Sequence, residues 1–252
     1  MTQPFAGRTA IVTGGLHGIG RATVDGLLTS GANVAIFDLE EESTDSTARL
    51  ESERSIYVQV DAVDRGSVDS GVQRVVKKFG RLDILVNNVG GSQPPVVLES
   101  LDETGWDRII ALNLKSAYVC TRAVIGRMKA QRYGAIVNLS SQAGRSRSEL
   151  GNLPYATAKA GILGFTRQLA HEVAPYNIRV NAVAPGVTLT ERVLAKWNAW
   201  PASQRQAVVA PIPLGRLASP MEIANVILFL ASEESSYMTG TCLDVNGGRF
   251  ML

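Results

Sequence analysis

The sequence has few of the residues that build metal centres or disulfide frameworks. It holds two cysteines and two histidines in 252 residues. Cys120 and Cys242 lie far apart, without the short spacing of a metal-ligand pair, and each lies in an apolar segment. We therefore expect no metal site and two buried, free thiols, as is typical of a protein of the reducing cytoplasm.

Long apolar runs and runs of one charge are also missing. No apolar stretch reaches the ~18 residues that would indicate a helix crossing a bilayer. The 25 Lys and Arg residues nearly balance the 23 Asp and Glu residues, and no Lys/Arg-rich run stands out. The sequence therefore predicts neither a membrane nor a nucleic acid as partner. Its first residues lack a basic-then-apolar leader, so no secretory signal is expected.

Short β-branched runs alternate with segments of helical spacing. The runs predict strands at 9–13, 33–38, 57–61, 82–87, 134–139, 178–183 and 241–245. Helices are predicted at 20–28, 68–79, 107–130, 155–173 and 223–231, the last behind a capping box from Ser219 to Glu222. This alternation predicts an α/β fold with one doubly wound parallel sheet of about seven strands and helices on both faces. No linker, repeat or low-complexity tract is visible, so residues 1–252 are expected to form a single domain.

Residues 189–213 depart from this alternation. They carry Trp197, Trp200 and three prolines, and they follow the end of a predicted strand. We interpret them as an insertion of helix and loop that forms a substrate lid over the sheet edge.

The first predicted strand runs into a glycine-rich turn. Residues 13–20 read TGGLHGIG, which places three glycines in a Gly-x-x-x-Gly-x-Gly spacing between a strand and a helix. Glycines let the backbone approach a ligand closely, and a helix N-terminus offers free N–H donors to a pyrophosphate. The segment predicts a dinucleotide-binding loop, although a glycine-rich turn without a ligand is the alternative.

Asp38 ends the second predicted strand, ~20 residues past this loop, where a carboxylate can accept hydrogen bonds from the adenosine ribose. A carboxylate there also repels a 2′-phosphate, so Asp38 predicts NAD rather than NADP. His17 and Arg21 are the nearby groups that could favour a phosphate, and His17 is mostly neutral near pH ~7. The alternative for Asp38 is a helix N-cap or a surface acid.

Tyr155 and Lys159 lie four residues apart on a predicted helix and therefore share a face. A nearby ammonium lowers the pKa of a phenol, so this pair can serve as a tuned acid and base, although it is also typical of a solvated helix face. Ser141 follows a strand end, where it could donate to a substrate oxygen. Asn113 lies inside an apolar helix, where its side-chain amide needs hydrogen-bond partners. The amide could bind a proton-relay water, or it could be a core amide that is satisfied by protein groups.

Taken in order along essentially the whole chain, these motifs resemble the short-chain dehydrogenases/reductases, in the branch whose chains have this length. The 13–20 loop is similar to the family's cofactor loop. Residues 87–90 resemble its Asn-Asn-Ala-Gly motif, with Val89 in place of Ala, and residues 185–190 resemble the segment that contacts the nicotinamide carboxamide. The resemblance implies a Rossmann-type fold.

The resemblance also implies a catalytic tetrad of Asn113, Ser141, Tyr155 and Lys159. Tyr155 would exchange a proton with the substrate, while Lys159 would lower its pKa and hold the nicotinamide ribose. Ser141 would orient the substrate oxygen, and Asn113 would support a water that links Lys159 to solvent. Ser140 is the alternative serine, but the Ser-Ser-x-x-Gly pattern that ends at 144 favours Ser141. The loop before Tyr155 is one residue longer than the family usually has.

The nucleotide contacts implied in this way involve the loop, two acids and the later motifs. They are Gly14, Leu16, His17, Gly18, Ile19, Gly20, Asp38, Leu39, Asp61, Ala62, Asn88, Gly90, Tyr155, Lys159, Pro185, Gly186, Val187, Thr188 and Thr190. Candidate substrate contacts lie on the 91–95 loop, the 142–153 loop and the lid. They are Ser92, Gln93, Gln142, Arg145, Arg147 and Trp197.

Two of these substrate candidates have competing interpretations. Arg145 and Arg147 could bind a substrate carboxylate or sulfonate together, or they could lie in a solvated loop with Glu149 as counter-charge. Trp197 and Trp200 could cover an apolar substrate, or they could pack the lid onto the rest of the domain or onto a neighbouring subunit.

The sequence therefore predicts an NAD(H)-dependent oxidoreductase that interconverts a small secondary alcohol and its ketone. One alternative is an NADPH-dependent 3-oxoacyl thioester (acyl carrier protein) reductase of the same family. Another, of a different class, is a non-catalytic NAD-binding regulator or scaffold. The resemblance further implies a homotetramer that packs the long Asn113 helix and the Tyr155 helix against partner subunits.

Overall fold

A seven-stranded parallel sheet with strand order β3-β2-β1-β4-β5-β6-β7 forms the centre of the protein, in a computed structural model that describes residues 3–40, 52–94, 96–147 and 151–251. The strands are β1 Thr9–Thr13, β2 Asn33–Asp38, β3 Ser55–Gln59, β4 Ile84–Asn87, β5 Gly134–Leu139, β6 Ile178–Pro185 and β7 Cys242–Val245. The predicted doubly wound α/β fold is confirmed, and β3 lies two residues earlier than predicted.

Helices cover both faces of this sheet. Within the described ranges they are α1 Gly18–Thr29, α2 Arg65–Phe79, α3 Glu103–Ile110, α4 Ser116–Gln131, α5 Leu153–Val173, α6 Glu191–Ala199, α7 Ala202–Val209 and α8 Pro220–Ala231. The predicted capping box is present, since the Ser219 side chain accepts from the Glu222 N–H and the Glu222 carboxylate accepts from the Ser219 N–H.

Alternate side chains of β1 enter two separate cores. Val12 packs in the core with Val24 of α1 and Ile223 of α8, whereas its neighbour Ile11 packs in the other core with Val124 of α4. All five residues of β1 are buried. Burial on both faces explains why the strands appear in the sequence as nearly continuous apolar runs.

The site is positioned by the reversal of strand order between β1 and β4. The chain moves outward from β1 to β3 and then crosses back to β4, so a crevice opens at the carboxyl ends of β1 and β4. Asn88, directly after β4, closes the base of this crevice. Its side chain donates to Thr13 O at 3.0 Å and to Gly14 O at 2.9 Å.

The predicted long helix is one helical run from Glu103 to Gln131 in which α3 and α4 are joined by a π-helical turn, Ala111–Lys115. Among the described residues, this run alone is long and apolar enough to cross a membrane by length and composition. This run packs against α2 and α5. Because the core helix of a soluble protein can be equally long and apolar, the run is weak evidence for a membrane span.

The 189–213 region forms α6 and α7 with an apolar cluster of its own. Trp197 and Trp200 pack at a ring-centroid distance of 6.1 Å and join Val208, Ile212 and Leu217 in this cluster. The two tryptophans therefore hold α6 and α7 onto the body of the protein. A role for the region as a substrate lid stays a prediction.

Both cysteines are free, as predicted, but they differ in burial. Cys120 on α4 is buried, which raises the pKa of its thiol to about 12. Cys242 begins the edge strand β7 and is partly exposed.

Candidate active site

A cleft of about 1140 Å³ opens along the carboxyl ends of the strands. It extends from the ends of β2 and β3, past the glycine-rich loop, to the ends of β5 and β6. Of the predicted nucleotide contacts, the following line it: Gly14, His17, Gly18, Ile19, Asp38, Leu39, Asp61, Ala62, Asn88, Gly90, Tyr155, Lys159, Pro185, Gly186, Val187, Thr188 and Thr190. Leu16 and Gly20 do not line it.

The glycine-rich loop needs its glycines for conformation and for space. Gly14 and Gly18 have φ of +63° and +54°, in the left-handed region that glycine favours. A Cβ on Gly20 would lie 2.0 Å from Gly14 O, so α1 could not approach the loop with any other residue there. This close packing places the start of α1 at the cleft, which Gly18 and Ile19 line, and a helix N-terminus in that position suits a pyrophosphate.

Asp38 bridges this loop and the end of β2. Its carboxylate accepts hydrogen bonds from the Leu16 N–H at 3.2 Å and the Leu39 N–H at 2.9 Å. Glu40 lines the same end of the cleft, and the His17 ring contacts its carboxylate at 3.1 Å. This end of the cleft is therefore acidic, and its one histidine already has an acidic partner.

Tyr155 is presented to the cleft by the first turn of α5. Asn152 caps this helix by accepting a hydrogen bond from the Tyr155 N–H at 3.1 Å, and Pro154 occupies the first turn. Burial raises the pKa of the Tyr155 phenol, while a hydrogen bond with the Ser141 hydroxyl and the positive charge of Arg192 act to lower it.

Lys159 lies one helical turn further along α5 and is buried. Its Nζ donates to Leu139 O at 2.7 Å and lies 5.8 Å from the centre of the Tyr155 ring. Burial lowers the pKa of Lys159 to about 8. The predicted effect of Lys159 on the pKa of Tyr155 stays a prediction, since the groups that lower that pKa here are Ser141 and Arg192.

The two candidate serines have different partners. The buried Ser140 hydroxyl donates to the backbone oxygen of Lys159 at 2.8 Å, which anchors α5 to β5. The Ser141 hydroxyl accepts from the Ala143 N–H at 3.1 Å and acts to lower the pKa of the Tyr155 phenol. The structure therefore brings Ser141, rather than Ser140, to the Tyr155 phenol.

Asn113 lies in the π-helical turn behind the cleft wall. Its side chain accepts from the Gly91 N–H at 2.9 Å and donates to Gly91 O at 2.9 Å and to Ile109 O at 3.0 Å. A Cβ on Gly90 would lie 2.6 Å from Asn113 Oδ1 and 2.9 Å from Lys159 Nζ, so a side chain at this position would displace one or both groups. The amide is therefore satisfied by protein groups, and its support of a relay water stays a prediction.

The predicted substrate residues separate into two groups. Ser92, Gln142 and Arg147 line the cleft, whereas Gln93, Arg145 and Trp197 do not. The Glu149 and Pro95 positions of the predicted loops lie outside the described residues.

Arg145 faces a smaller cavity of about 300 Å³ and pairs with Asp244 of β7 at 3.1 Å. Arg145 and Arg147 therefore do not face one shared ligand, because the acid on β7 holds the first of them. Trp197 is directed into the apolar cluster of α6 and α7 instead.

Sequence reasoning missed Glu191 and Arg192 at the start of α6, and both line the cleft. Glu191 accepts a hydrogen bond from the Gly18 N–H at 2.9 Å. Their position directly after Thr190, a predicted nucleotide contact, was a usable signal. Within the described residues, no group of three His, Cys, Asp or Glu side chains could hold a metal ion.

Comparisons with known proteins agree with this geometry. A family model described as enoyl-(acyl carrier protein) reductase matches residues 14–249. The chain is 40% identical over 249 residues to 3-oxoacyl-[acyl-carrier-protein] reductase FabG of Thermotoga maritima, covering 96% of this chain and 97% of that protein. It is also 40% identical over 250 residues to cis-4-hydroxycyclohexanecarboxylate dehydrogenase of Sinomonas cyclohexanicum, covering 98% of each.

A solved structure shares the fold as well. The crystal structure of gox2181 matches with a TM-score of 0.90 at 34% identity, covering 98% of this chain and 97% of that one. Both the relatives and the structure span nearly the full length of the sheet and its helices. The chain therefore belongs to the short-chain dehydrogenases/reductases, oxidoreductases that use a nicotinamide cofactor on CH–OH or ketone groups.

Proposed function

We propose that the protein is an NAD(H)-dependent oxidoreductase that interconverts a secondary alcohol and its ketone, with Tyr155 as general acid and base. The observation that carries this proposal is that Ser141, Tyr155 and the buried Lys159 line one cleft, with Lys159 Nζ 5.8 Å from the centre of the Tyr155 ring. Hydroxyl, phenol and ammonium lie along a cleft of about 1140 Å³ that the glycine-rich loop also lines.

The glycine-rich loop supports the cofactor assignment. Gly14 and Gly18 adopt left-handed backbone conformations, and Gly20 brings α1 against the loop, so backbone N–H groups can approach a pyrophosphate. Gly90 leaves space beside Lys159 Nζ that a side chain would fill. The bound nicotinamide supplies or accepts the hydride in this chemistry.

The roles of the other groups follow from their chemistry. In the oxidative direction the Tyr155 phenolate takes the hydroxyl proton, and in reduction the phenol returns it. Ser141 donates a hydrogen bond to the substrate oxygen, where negative charge develops. Lys159 holds positive charge near the phenolate. Asn113 positions the loop at Gly91 through two hydrogen bonds, one with the N–H and one with the carbonyl of that residue.

The acidic end of the cleft supports NAD over NADP. Asp38, Glu40 and Asp61 line it, and the cleft-lining residues at the ends of β2 and β3 include no lysine or arginine within the described part of the chain. A 2′-phosphate placed there would be repelled by these carboxylates.

A second candidate function is 3-oxoacyl-[acyl-carrier-protein] reduction. The names of several relatives, including the one from Thermotoga maritima, support this reading more directly than the first. The name of the Sinomonas relative supports action on a small alcohol instead. This second candidate was predicted to use NADPH, and Asp38 argues against that cofactor because its carboxylate would repel the 2′-phosphate. A non-catalytic nucleotide-binding role has less support, since Ser141, Tyr155 and Lys159 are all present at the cleft.

A screen of both cofactors against both substrate classes tests these candidates. Absorbance of the reduced nicotinamide is followed with NADH or NADPH, using acetoacetyl-acyl carrier protein and a panel of small ketones. The proposal expects NADH to give the higher kcat/KM with a small ketone. A higher kcat/KM for NADPH with the acyl carrier protein thioester would establish the second candidate. Reduction of no ketone by either cofactor would contradict both.

A further inference from the structure

Arginines line one end of the cleft, and its acids, apart from Glu191 on α6, line the other. The lining acids at the ends of β2 and β3 are Asp38, Glu40 and Asp61. The opposite end, formed by α3, α6 and the segments that follow β5 and β7, is lined by Arg108, Arg147, Arg192 and Arg249. The half of the cleft that contains Tyr155 therefore presents several guanidinium groups.

Arg192 is the arginine whose position the fold fixes most directly beside the reaction centre. It lies in the first turn of α6, which Thr190 caps by accepting a hydrogen bond from the Val193 N–H. The preceding residue, Glu191, accepts from the Gly18 N–H at 2.9 Å, and the Thr190 methyl packs against Gly18. These contacts fix the start of α6 against the glycine-rich loop.

The guanidinium of Arg192 rests against Gly91. A Cβ on Gly91 would lie 2.7 Å from Arg192 Nη1, so a side chain at this position would displace the guanidinium. Asn113 holds both the N–H and the carbonyl of Gly91, so the surface beneath the guanidinium is rigid. The charge of Arg192 also reaches Tyr155, whose pKa it acts to lower.

Arg192 has no acidic partner among the described residues, unlike Arg145 and Arg216. Arg145 pairs with Asp244 at 3.1 Å, and Arg216 pairs with Glu222 at 2.7 Å. The nearest acid in sequence, Glu191, is directed to Gly18 instead. A guanidinium without a counter-charge on the wall of a cleft is suited to bind a planar carboxylate with two parallel hydrogen bonds.

We infer that Arg192 binds a carboxylate of the substrate, so that the substrate is a hydroxy acid or the corresponding oxo acid. This inference rests on the proposed function and names its substrate class. The carboxylate remains unchanged in the reaction. The carbinol carbon loses a hydride to NAD⁺ and its hydroxyl loses a proton to Tyr155, which gives the ketone, NADH and a proton released to solvent.

Binding to the enzyme–NADH complex tests this inference without turnover. The probes are cyclohexanecarboxylate, benzoate and hexanoate, each paired with its methyl ester, and dissociation constants are measured by calorimetry. The wild-type protein is expected to bind at least one acid about tenfold more tightly than its ester, the size expected for a charge-assisted pair that is partly exposed to solvent. Arg192→Met is expected to remove this preference and to leave the affinity for NADH unchanged.

Lys196→Met is the matched control, because Lys196 is an exposed cation on the same helix that does not line the cleft. It is expected to keep the preference for the acid. The inference is overturned if no acid binds more tightly than its ester, if Arg192→Met keeps the preference, or if that variant loses NADH affinity by the same factor as acid affinity.

Failure of this inference is distinguishable from failure of the proposed function. Tyr155-dependent oxidation of neutral alcohols, without any preference for acids, would overturn the substrate class alone. A preference for acids in binding, without hydride transfer to or from any alcohol or ketone, would contradict the proposed function alone.

Discussion

The carboxylate of Glu191 accepts a hydrogen bond from the N–H of Gly18 at 2.9 Å, where α1 begins. The N-terminus of a helix favours negative charge, and in this loop it is the expected site of a pyrophosphate. A carboxylate from α6 therefore occupies one of the donors that the dinucleotide would use. Pyrophosphate and Glu191 are both anions, so we expect them to compete for this end of α1.

Replacing Glu191 by Gln tests this competition. The amide keeps an acceptor for the Gly18 N–H but removes the negative charge, so NADH is expected to bind about two- to fivefold more tightly. Titration of NADH fluorescence measures the dissociation constant. Glu234→Gln, at an exposed position away from the cleft, is the control and should leave it unchanged. Weaker binding by Glu191→Gln would show that the carboxylate does not oppose the cofactor.

Asp38→Asn tests the basis of the NAD preference. The variant keeps an acceptor for one of the two N–H groups that Asp38 bonds, and it removes the charge that would repel a 2′-phosphate. The ratio of kcat/KM for NADPH to kcat/KM for NADH is expected to rise about tenfold. This change corresponds to the loss of roughly 1.4 kcal/mol of repulsion between the carboxylate and the 2′-phosphate. Asp25→Asn, on the outer side of α1 in an ion pair with Arg21, should leave the ratio unchanged. An unchanged ratio in Asp38→Asn would remove Asp38 as the determinant.

The buried ammonium of Lys159 predicts a pH dependence of stability. Burial lowers its pKa from 10.5 to about 8, so between these values the unfolded chain binds a proton that the folded chain has lost. Stability therefore rises with pH in this window, and the burial penalty is present in full below it. The free energy of unfolding of the wild type should increase relative to that of Lys159→Met by up to about 1.4 kcal/mol per pH unit. Urea unfolding at several pH values measures this difference, and a difference that does not vary with pH would contradict the lowered pKa.

The homotetramer implied by the family resemblance also remains to be tested. Tyr118 on α4 and Leu153 on α5 are 52% and 47% exposed in the single chain, on the two helices predicted to meet partner subunits. Sedimentation velocity is expected to give a mass of four chains, and Tyr118→Asp is expected to shift the protein toward smaller species, because a charge in an apolar contact is costly. Leu194→Asp, at an exposed position on α6, is the control. A monomeric wild-type protein would contradict the tetramer.

The sheet was predictable because its determinants are local. The strands β1 and β5 are buried on both faces, so an uninterrupted apolar run marks each of them directly. The capping box of α8 and the cap of α2 are likewise set by residues close in sequence. The predicted bounds were less accurate at β3, because the apolar run extends to Val60, beyond the last residue of the strand, Gln59.

Individual side chains of the site were harder to predict, because their directions depend on distant segments. Arg145 and Arg147 are two residues apart, yet Asp244, ~100 residues away, holds one of them outside the cleft. Arg192 reaches the reaction centre because Gly91 and Gly18 fix the start of α6, and no spacing rule connects these positions. The pair of Tyr155 and Lys159 was found from sequence because four residues of helix suffice to place both on one face.

The most direct test of the account is the comparison of Tyr155→Phe with Tyr237→Phe, each assayed for turnover and for NADH binding. Tyr237 is fully exposed and serves as the matched control. The account predicts that Tyr155→Phe loses about a thousandfold or more in kcat, the scale expected for removal of a general acid and base, while it binds NADH as the wild type does. Tyr237→Phe should retain both properties. Wild-type turnover by Tyr155→Phe would contradict the assignment of Tyr155 as the proton-transfer group.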